Sequence, residues 1–181
     1  MTCEKKIGRD EEPSALIIDS QSVKADPWAE GTGYDAGKKI KGIKRHVVVD
    51  VEGLLIGMIV HSAAIQDRDG ARLLILRIKD RLPRVTLVWA DGGYQGQLIT
   101  WVEGETGWRL EIVKRTDDLS TFQVLPHRWI VERTFAWLMT WRLMCRHHER
   151  KHDTAEADMR GVMIYNMTRL LTRPAPAKKA A

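Results

Sequence analysis

The chain has 181 residues, of which 44% are hydrophobic and 29% are charged, a balance that is typical of one globular domain and excludes a disordered or fibrous protein. Its formal net charge of +5 favours polyanionic partners such as nucleic acid or anionic lipid. The sequence has no apolar run near the roughly 18 residues that span a membrane, no signal peptide and no metal or redox spacing of its two cysteines, so we expect a cytoplasmic protein.

The N-terminal half of the chain predicts three strands and one helix. Residues 15–19 are a short, β-branched apolar run that is typical of a buried strand, and residues 20–42, with five glycines and prolines, predict a long loop. Two further strand patterns, 46–50 and 54–61, are separated by a short segment ending in glycine, which indicates a hairpin. Residues 66–81 place apolar side chains at helical spacing after two aspartates suited to capping, and predict a helix.

The C-terminal half alternates strand and helix patterns. Apolar residues 85–90 predict a buried strand, and residues 108–113 alternate like another strand. Helices are predicted over 95–105, from 126 to about 151, and over 155–171. Because strands joined by a hairpin are antiparallel and strands joined through a helix are parallel, this order predicts an α/β fold with a mixed five-stranded sheet flanked by helices.

The chain is expected to hold one folded domain. It has no internal repeat and no long linker in its body. We expect that domain to cover residues 15–173, between a flexible N-terminal segment, 1–14, and a disordered tail, 174–181, that is rich in alanine, proline and lysine.

Positive charge is concentrated in two segments that lie far apart in sequence. Residues 36–46 contain five cations and no acid, and residues 127–152 contain six cations, five of them arginines, against two glutamates. These segments could line one groove for nucleic acid or could be two solvated faces, and charge alone favours neither. The candidate phosphate-binding residues are Lys38, Lys39, Lys41, Lys44, Arg45, Arg128 and Arg133.

Three acidic residues occupy positions that suit catalysis. Asp19 ends the first predicted strand, Asp91 ends a later one, and Glu132 lies early in the long C-terminal helix. If the two strands are neighbours, the aspartates lie side by side, and a helix packed across the sheet can bring the glutamate to them. Clustered carboxylates repel one another unless cations neutralise them. Their oxygens suit Mg²⁺ or Mn²⁺, which in pairs support phosphoryl transfer.

Each acid also has an ordinary structural explanation. An aspartate after a strand often makes only a turn or a helix cap, and Asp91 is followed by two glycines that favour a turn. Glu132 has the spacing of a helix salt bridge with Arg128. Asp50 also ends a strand and is the main competing acid. Spacing alone leaves the catalytic and the structural interpretations open.

Five segments in order form a recognisable series of motifs. They are IIDSQSVK (17–24), GYDAGKKIKGIKRHVVVD (33–50), QDRDGA (66–71), VWADGGYQG (88–96) and HRWIVERTFAWL (127–138). Together they resemble the transposases of IS-five-type insertion sequences. The resemblance extends from about residue 15 to residue 171, and it implies a ribonuclease-H-like fold with a DDE triad of two aspartates and one glutamate.

The resemblance assigns the triad residue by residue. The family aspartates match Asp19 and Asp91, and the family glutamate matches Glu132; these three would be the catalytic residues and the metal ligands. Related transposases carry Tyr, Arg, Glu and Lys separated by two, three and six residues. Here the Arg and Glu positions match, but the Tyr position holds Leu125 and the Lys position holds Met139. No stacking tyrosine or phosphate-binding lysine is therefore transferred to this chain.

The activity that the resemblance implies is DNA transposition. A metal-dependent enzyme would cut transposon ends and join the freed 3′-hydroxyl to target DNA, acting as a homo-oligomer. Such transposases usually carry an N-terminal DNA-binding region, and in this type of element they are often split into two reading frames, so the chain resembles a downstream half that acts with an upstream half. Two alternatives stay open: a truncated, inactive remnant that only binds DNA or a full-length partner, and a nuclease of the same fold.

Overall fold

The computed structural model describes residues 12–113 and 128–172. The strands are β1 (Ala15–Lys24), β2 (Gly33–Asp35), β3 (Ile40–Val49), β4 (Leu55–Ser62), β5 (Leu87–Ala90) and β6 (Arg109–Ile112). The helices are α1 (Asp67–Ile78), α2 (Gln97–Thr106), α3 (Arg128–Met139) and α4 (His152–Thr172). No helix within these residues is long and apolar enough to cross a membrane. The expected tail, 174–181, and most of the expected flexible segment, 1–14, lie outside the described residues.

The central strand of the sheet is β1. It pairs antiparallel with β3 on one edge and parallel with β5 on the other. Strand β3 pairs in turn with β2 at its beginning and with β4 over the rest of its length, both antiparallel, and β6 continues the parallel side next to β5. Hairpin-joined strands on one side of β1 and helix-joined strands on the other confirm the predicted mixed sheet of the ribonuclease-H-like class. Within the described residues the sheet has six strands rather than the predicted five.

Helices cover both faces of the sheet because the strands are apolar on both faces. Successive side chains of a strand point to opposite sides. Leu16 and Ile18 of β1 accordingly pack into a core cluster that includes residues of α1 and α2, whereas Ile17 packs into a second cluster that includes residues of α3 and α4. The sheet is therefore buried on both sides.

Two strands are longer than the sequence predicts. The predicted first strand stops at Asp19, but β1 continues to Lys24, and β3 begins at Ile40 within the predicted loop. The extra residues are mostly polar, with isolated apolar residues at Val23, Ile40 and Ile43. They stay extended because they pair with neighbouring strands, for example Gln21 of β1 with Arg45 of β3 and Ile40 of β3 with Asp35 of β2. Cross-strand pairing thus keeps these residues in a strand although the local sequence pattern does not predict one. The short strand β2 also lies within the predicted loop, 20–42.

The predicted helix from 126 to about 151 is confirmed over Arg128–Met139, but its predicted end is wrong. Its part before residue 128 lies outside the described residues, and α3 ends at Met139. The following segment makes bonds to the sheet instead of continuing the helix: the guanidinium of Arg45 donates to the Met144 carbonyl at 2.6 Å, and the His147 amide donates to the Lys24 carbonyl at 2.8 Å. Tertiary contacts therefore end this helix. The predicted glycine end of α2 is confirmed, because Gly107 has a φ of +73°.

Candidate active site

Asp19 and Asp91 lie side by side on the central strands. The parallel register pairs Ile17 of β1 with Trp89 of β5, and each aspartate follows two residues later in its own strand direction. Neighbouring strands are about 4.8 Å apart. Both aspartates line one small cavity, together with Val113 and Val131. The structure thus brings together two of the three predicted acids.

Backbone amides orient both carboxylates. The amide of Ser20 donates to Asp19 Oδ1 at 2.7 Å, and the amide of Gly93 donates to Asp91 Oδ1 at 2.8 Å. The bond from Gly93 caps the short 3₁₀ turn Gly92–Tyr94. The turn interpretation of Asp91 is therefore true in structural terms, and it is compatible with a catalytic role because the turn fixes the carboxylate beside Asp19.

Asp67 is a third aspartate in this region, and its position at the start of α1 predicts a capping role rather than a role as a metal ligand. The N-cap position of α1 is in fact Gln66, and no side chain caps this helix end. Asp67 Oδ1 instead accepts from Ser20 Oγ at 2.8 Å and contacts Lys44 Nζ at 2.9 Å. Local sequence patterns do not reveal these partners; the only available signal is that Asp67 belongs to the QDRDGA motif.

The electrostatics around Tyr94 show how much negative charge collects here. Tyr94 is buried, with 1% of its surface exposed. Burial raises the pKa of its hydroxyl well above the ordinary value, and the charges of Asp19, Asp67 and Asp91 raise it further. Because carboxylates at short range destabilise nearby negative charge, the contribution of the three aspartates to this shift indicates an acidic region that favours a cation.

Glu132 does not complete a metal site in this structure. Its side chain is exposed, although the preceding Val131 lines the same cavity as the aspartates. Within residues 12–113 and 128–172, no three histidine, cysteine, aspartate or glutamate side chains converge closely enough to hold a metal ion. The structure therefore brings the helix of Glu132 to the aspartates but not its carboxylate.

Two side chains that follow Glu132 attach α3 to the turn between β3 and β4. Arg133 Nη2 donates to the carbonyl of Glu52, and Thr134 Oγ1 donates to the carbonyl of Gly53 at 2.9 Å. Gly53 has a φ of +82°, and a Cβ there would lie 2.9 Å from Thr134 Oγ1. A glycine is thus required both for the turn and for the close approach of α3.

Asp50 is explained by the same turn. It is buried, and its Oδ1 accepts from the amides of Glu52 at 2.9 Å and Leu54 at 2.8 Å. These bonds are those of an aspartate that shapes a hairpin turn. The competing acid is therefore structural and lies apart from the cavity of the two aspartates.

Two of the candidate phosphate-binding residues are internal. Arg45 is 1% exposed and Lys44 is 4% exposed, and both are bonded to protein groups. Burial lowers the pKa of Arg45 to about 10. The expectation that Lys44 and Arg45 contact DNA is corrected, because a buried side chain does not reach a phosphate. Their side chains point to opposite faces of the sheet, and each is covered there by other segments of the chain.

The remaining candidates differ in position. Lys38, Lys39 and Lys41 are exposed, and Lys38 Nζ donates to the Ser20 carbonyl at 3.1 Å, one residue from Asp19. Arg133 is half-buried, with its guanidinium 4.6 Å and 4.9 Å from the ring centres of Trp129 and Trp137. The side chain of Arg128 lies outside the described residues. Of these exposed lysines, Lys38 therefore has a contact beside Asp19, whereas the register of β1 and β3 places Lys41 next to Gly42, which pairs with Lys24, away from Asp19.

A ribonuclease-H-like sheet with adjacent aspartates on its two central parallel strands defines the class of this domain. The family described as the transposase DDE domain matches residues 10–167, and the chain belongs to that family. A putative transposase for insertion sequence element IS402 from Burkholderia cepacia is 30% identical over 119 residues, covering 62% of this chain and 56% of the relative. The chain thus spans little more than half the length of that curated relative.

Two solved structures are similar at 14% identity. The catalytic core domain of BIV integrase gives a TM-score of 0.48 and covers 90% of this chain and 86% of its own. A chain of the simian T-cell lymphotropic virus intasome in complex with the PP2A regulatory subunit B56 gamma gives 0.49, covering 94% of this chain and 53% of its own. The strand order, rather than these likenesses, defines the fold.

Proposed function

We propose that residues 15–173 are the catalytic domain of a DNA transposase that cuts transposon ends and joins the freed 3′-hydroxyl to target DNA. The observation that carries the proposal is the parallel register that sets Asp19 beside Asp91, in a chain of the transposase DDE domain family. The five motifs support the IS-five type of element. The metal, the DNA substrates, the homo-oligomer, the upstream half and the cytoplasmic location are parts of the same proposal.

The residues fit a divalent cation. Asp19 and Asp91 offer hard carboxylate oxygens. The pKa of Tyr94 is raised first by burial and then by the charges of Asp19 and Asp67, with a smaller effect of Asp91, which places negative charge around the site. We propose that these two residues hold Mg²⁺ or Mn²⁺, with Glu132 as the third ligand. When bound, the metal supplies activation of an attacking oxygen and stabilisation of a leaving oxygen in phosphoryl transfer.

The protein groups orient the site and its substrate. The amides of Ser20 and Gly93 hold the carboxylates before any substrate arrives, which reduces the cost of ordering them during the reaction. Lys38, Lys39 and Lys41 present positive charge for the DNA backbone. The reaction needs no covalent protein–DNA intermediate, so no serine or tyrosine nucleophile is assigned.

Glu132 is proposed to reach the aspartates when DNA or a second copy is bound. The same exposed position of Glu132 favours a second candidate function, an inactive remnant that only binds DNA or a full-length partner. The two candidates differ in a single property, because only the first predicts metal-dependent chemistry on DNA.

The test uses a plasmid that carries both ends of the element, incubated with the chain and Mg²⁺ or Mn²⁺, with and without the upstream polypeptide. Cleavage followed by joining of 3′-hydroxyl ends supports the transposase. Cleavage without joining identifies a nuclease of the same fold. DNA binding without cleavage under every condition identifies the remnant, and Asp91→Asn provides the control for a contaminating nuclease.

A further inference from the structure

Asp67 links the residues next to both proposed metal ligands. On one side, Ser20 donates its amide to Asp19 Oδ1 at 2.7 Å and its hydroxyl to Asp67 Oδ1 at 2.8 Å. The one serine therefore connects the two carboxylates. The bonds use the backbone and the side chain of the same residue, so a shift of Asp67 would move the group that orients Asp19.

On the other side, Asp67 adjoins the turn that orients Asp91. A Cβ built on Gly93 would lie 3.0 Å from Asp91 Oδ1 and 3.4 Å from Asp67 Oδ2. The space beside Gly93 is thus bounded by both carboxylates. Asp67 therefore lies beside the turn whose Gly93 amide donates to Asp91.

Lys44 fixes Asp67 in turn. Its ammonium lies 2.9 Å from Asp67 Oδ1 and 3.5 Å from Asp35 Oδ2, and it donates to the Ile65 carbonyl at 2.9 Å. Lys44 is 4% exposed, so these bonds form where water screens them weakly. A buried cation with three fixed partners holds Asp67 in one place and balances its charge.

We infer that Asp67 is a positioning residue that keeps Asp19 and Asp91 in the arrangement that binds a divalent cation, acting through Ser20 and the Gly93 turn. The inference rests on the proposed function, since it concerns the same metal ligands. Groups that orient metal ligands typically change metal affinity by about 10–100-fold when they are removed. An effect of that size is expected for Asp67.

The experiment measures Mn²⁺ binding to the full chain by isothermal titration calorimetry. Asp67→Asn is expected to weaken binding by about tenfold or more. Ser20→Ala, which breaks the link to Asp67 without changing any charge, is expected to weaken binding in the same direction. The matched control is Asp69→Asn, which removes an exposed carboxylate from the same helix turn and is expected to leave binding within about twofold of wild type, below the range that ligand-orienting groups show. Thermal unfolding of each variant shows that it is folded.

The outcomes separate this inference from the proposed function. If wild type binds no Mn²⁺, or if Asp91→Asn binds it as tightly as wild type does, both the proposed site and the inference fail. If Asp91→Asn abolishes binding while Asp67→Asn or Ser20→Ala binds like wild type, the positioning role alone is overturned. Loss of binding in Asp67→Asn as complete as in Asp91→Asn overturns it too, because Asp67 would then be a ligand.

Discussion

The two aspartates and the glutamate of the proposed triad are held by different kinds of structure. Asp19 and Asp91 are set by the hydrogen-bonded register of β1 and β5, whereas Glu132 is placed by side chains that attach α3 to a turn. A strand ladder leaves little freedom for its residues, but a docked helix can shift by small movements of side chains. The comparison teaches that a carboxylate pair can be formed before DNA binds, while the third acid depends on how a helix is seated.

The largest expected effect comes from removing one carboxylate of the Asp19–Asp91 pair. Asp91→Asn removes the negative charge of one of the three proposed metal ligands without changing the shape of the side chain, so metal-dependent cleavage of the plasmid substrate is expected to fall to background. Circular dichroism and thermal unfolding are expected to match wild type because Asp91 is only partly buried. Asp69→Asn, which is exposed and outside the site, is expected to keep wild-type cleavage. Cleavage by Asp91→Asn at the wild-type rate would remove this residue from the site.

Glu132→Gln sharpens the comparison. If Asp19 and Asp91 bind the first cation without Glu132, this variant is expected to lose cleavage yet bind Mn²⁺ with nearly wild-type affinity in calorimetry. Asp91→Asn measured alongside is expected to lose both. Equal loss of Mn²⁺ binding in the two variants would show that Glu132 is already a ligand without DNA, and the contrast between strand and helix would not hold.

Low pH is expected to reduce the free energy of unfolding through two buried histidines that pack against α1. His46 and His61 are joined by a 2.8 Å contact between ring nitrogens, and Gly70 of α1, the helix of Asp67, packs against both rings. Burial, with the charge of His61, lowers the pKa of His46 to about 3. Below its ordinary pKa of about 6.5 the unfolded chain takes up a proton that the folded chain does not, so stability falls as the pH falls from about 6.5 toward 3.

The measurement is urea unfolding at several pH values. One linked proton contributes a slope of about 1.4 kcal/mol per pH unit, and His46→Gln is expected to show a smaller slope than wild type over the same interval. The pKa of His61 is also lowered by burial, so His61 accounts for part of the slope that remains in His46→Gln. A slope unchanged by His46→Gln would show that His46 is not a source of the acid sensitivity.

The smallest effect is expected at the helix attachment. Thr134→Val keeps the shape but removes the bond to the buried Gly53 carbonyl, so unfolding free energy is expected to drop by about 1–3 kcal/mol. Thr140→Val is the matched control, because its bond to the Trp137 carbonyl is exposed and its loss is expected to cost within about 0.5 kcal/mol. Urea unfolding measures both, and equal losses would contradict a special role for the Thr134 bond.

Patterns in the sequence predicted the features that depend on neighbouring residues. The apolar runs before Asp19 and Asp91 predicted two buried strands, although β1 continues past Asp19 to Lys24. The hairpin after β3 and the glycine end of α2 followed from their turn residues. These features are local, since strand alternation and turn chemistry are properties of a few consecutive residues. The motif series then added the class of fold, which is confirmed by the strand order.

Tertiary structure decided what depends on residues far apart in the chain. The inward turn of Lys44 and Arg45, the end of α3 at Met139 and the linkage of Asp67 to Ser20 each involve a partner more than twenty residues away or on another element. A charged or polar residue carries no local signal of whether it will meet water or a buried partner. Its pairing is settled only when strands and helices pack, and for that reason the sequence by itself determined where the acids lie, while the folded structure determined what holds them.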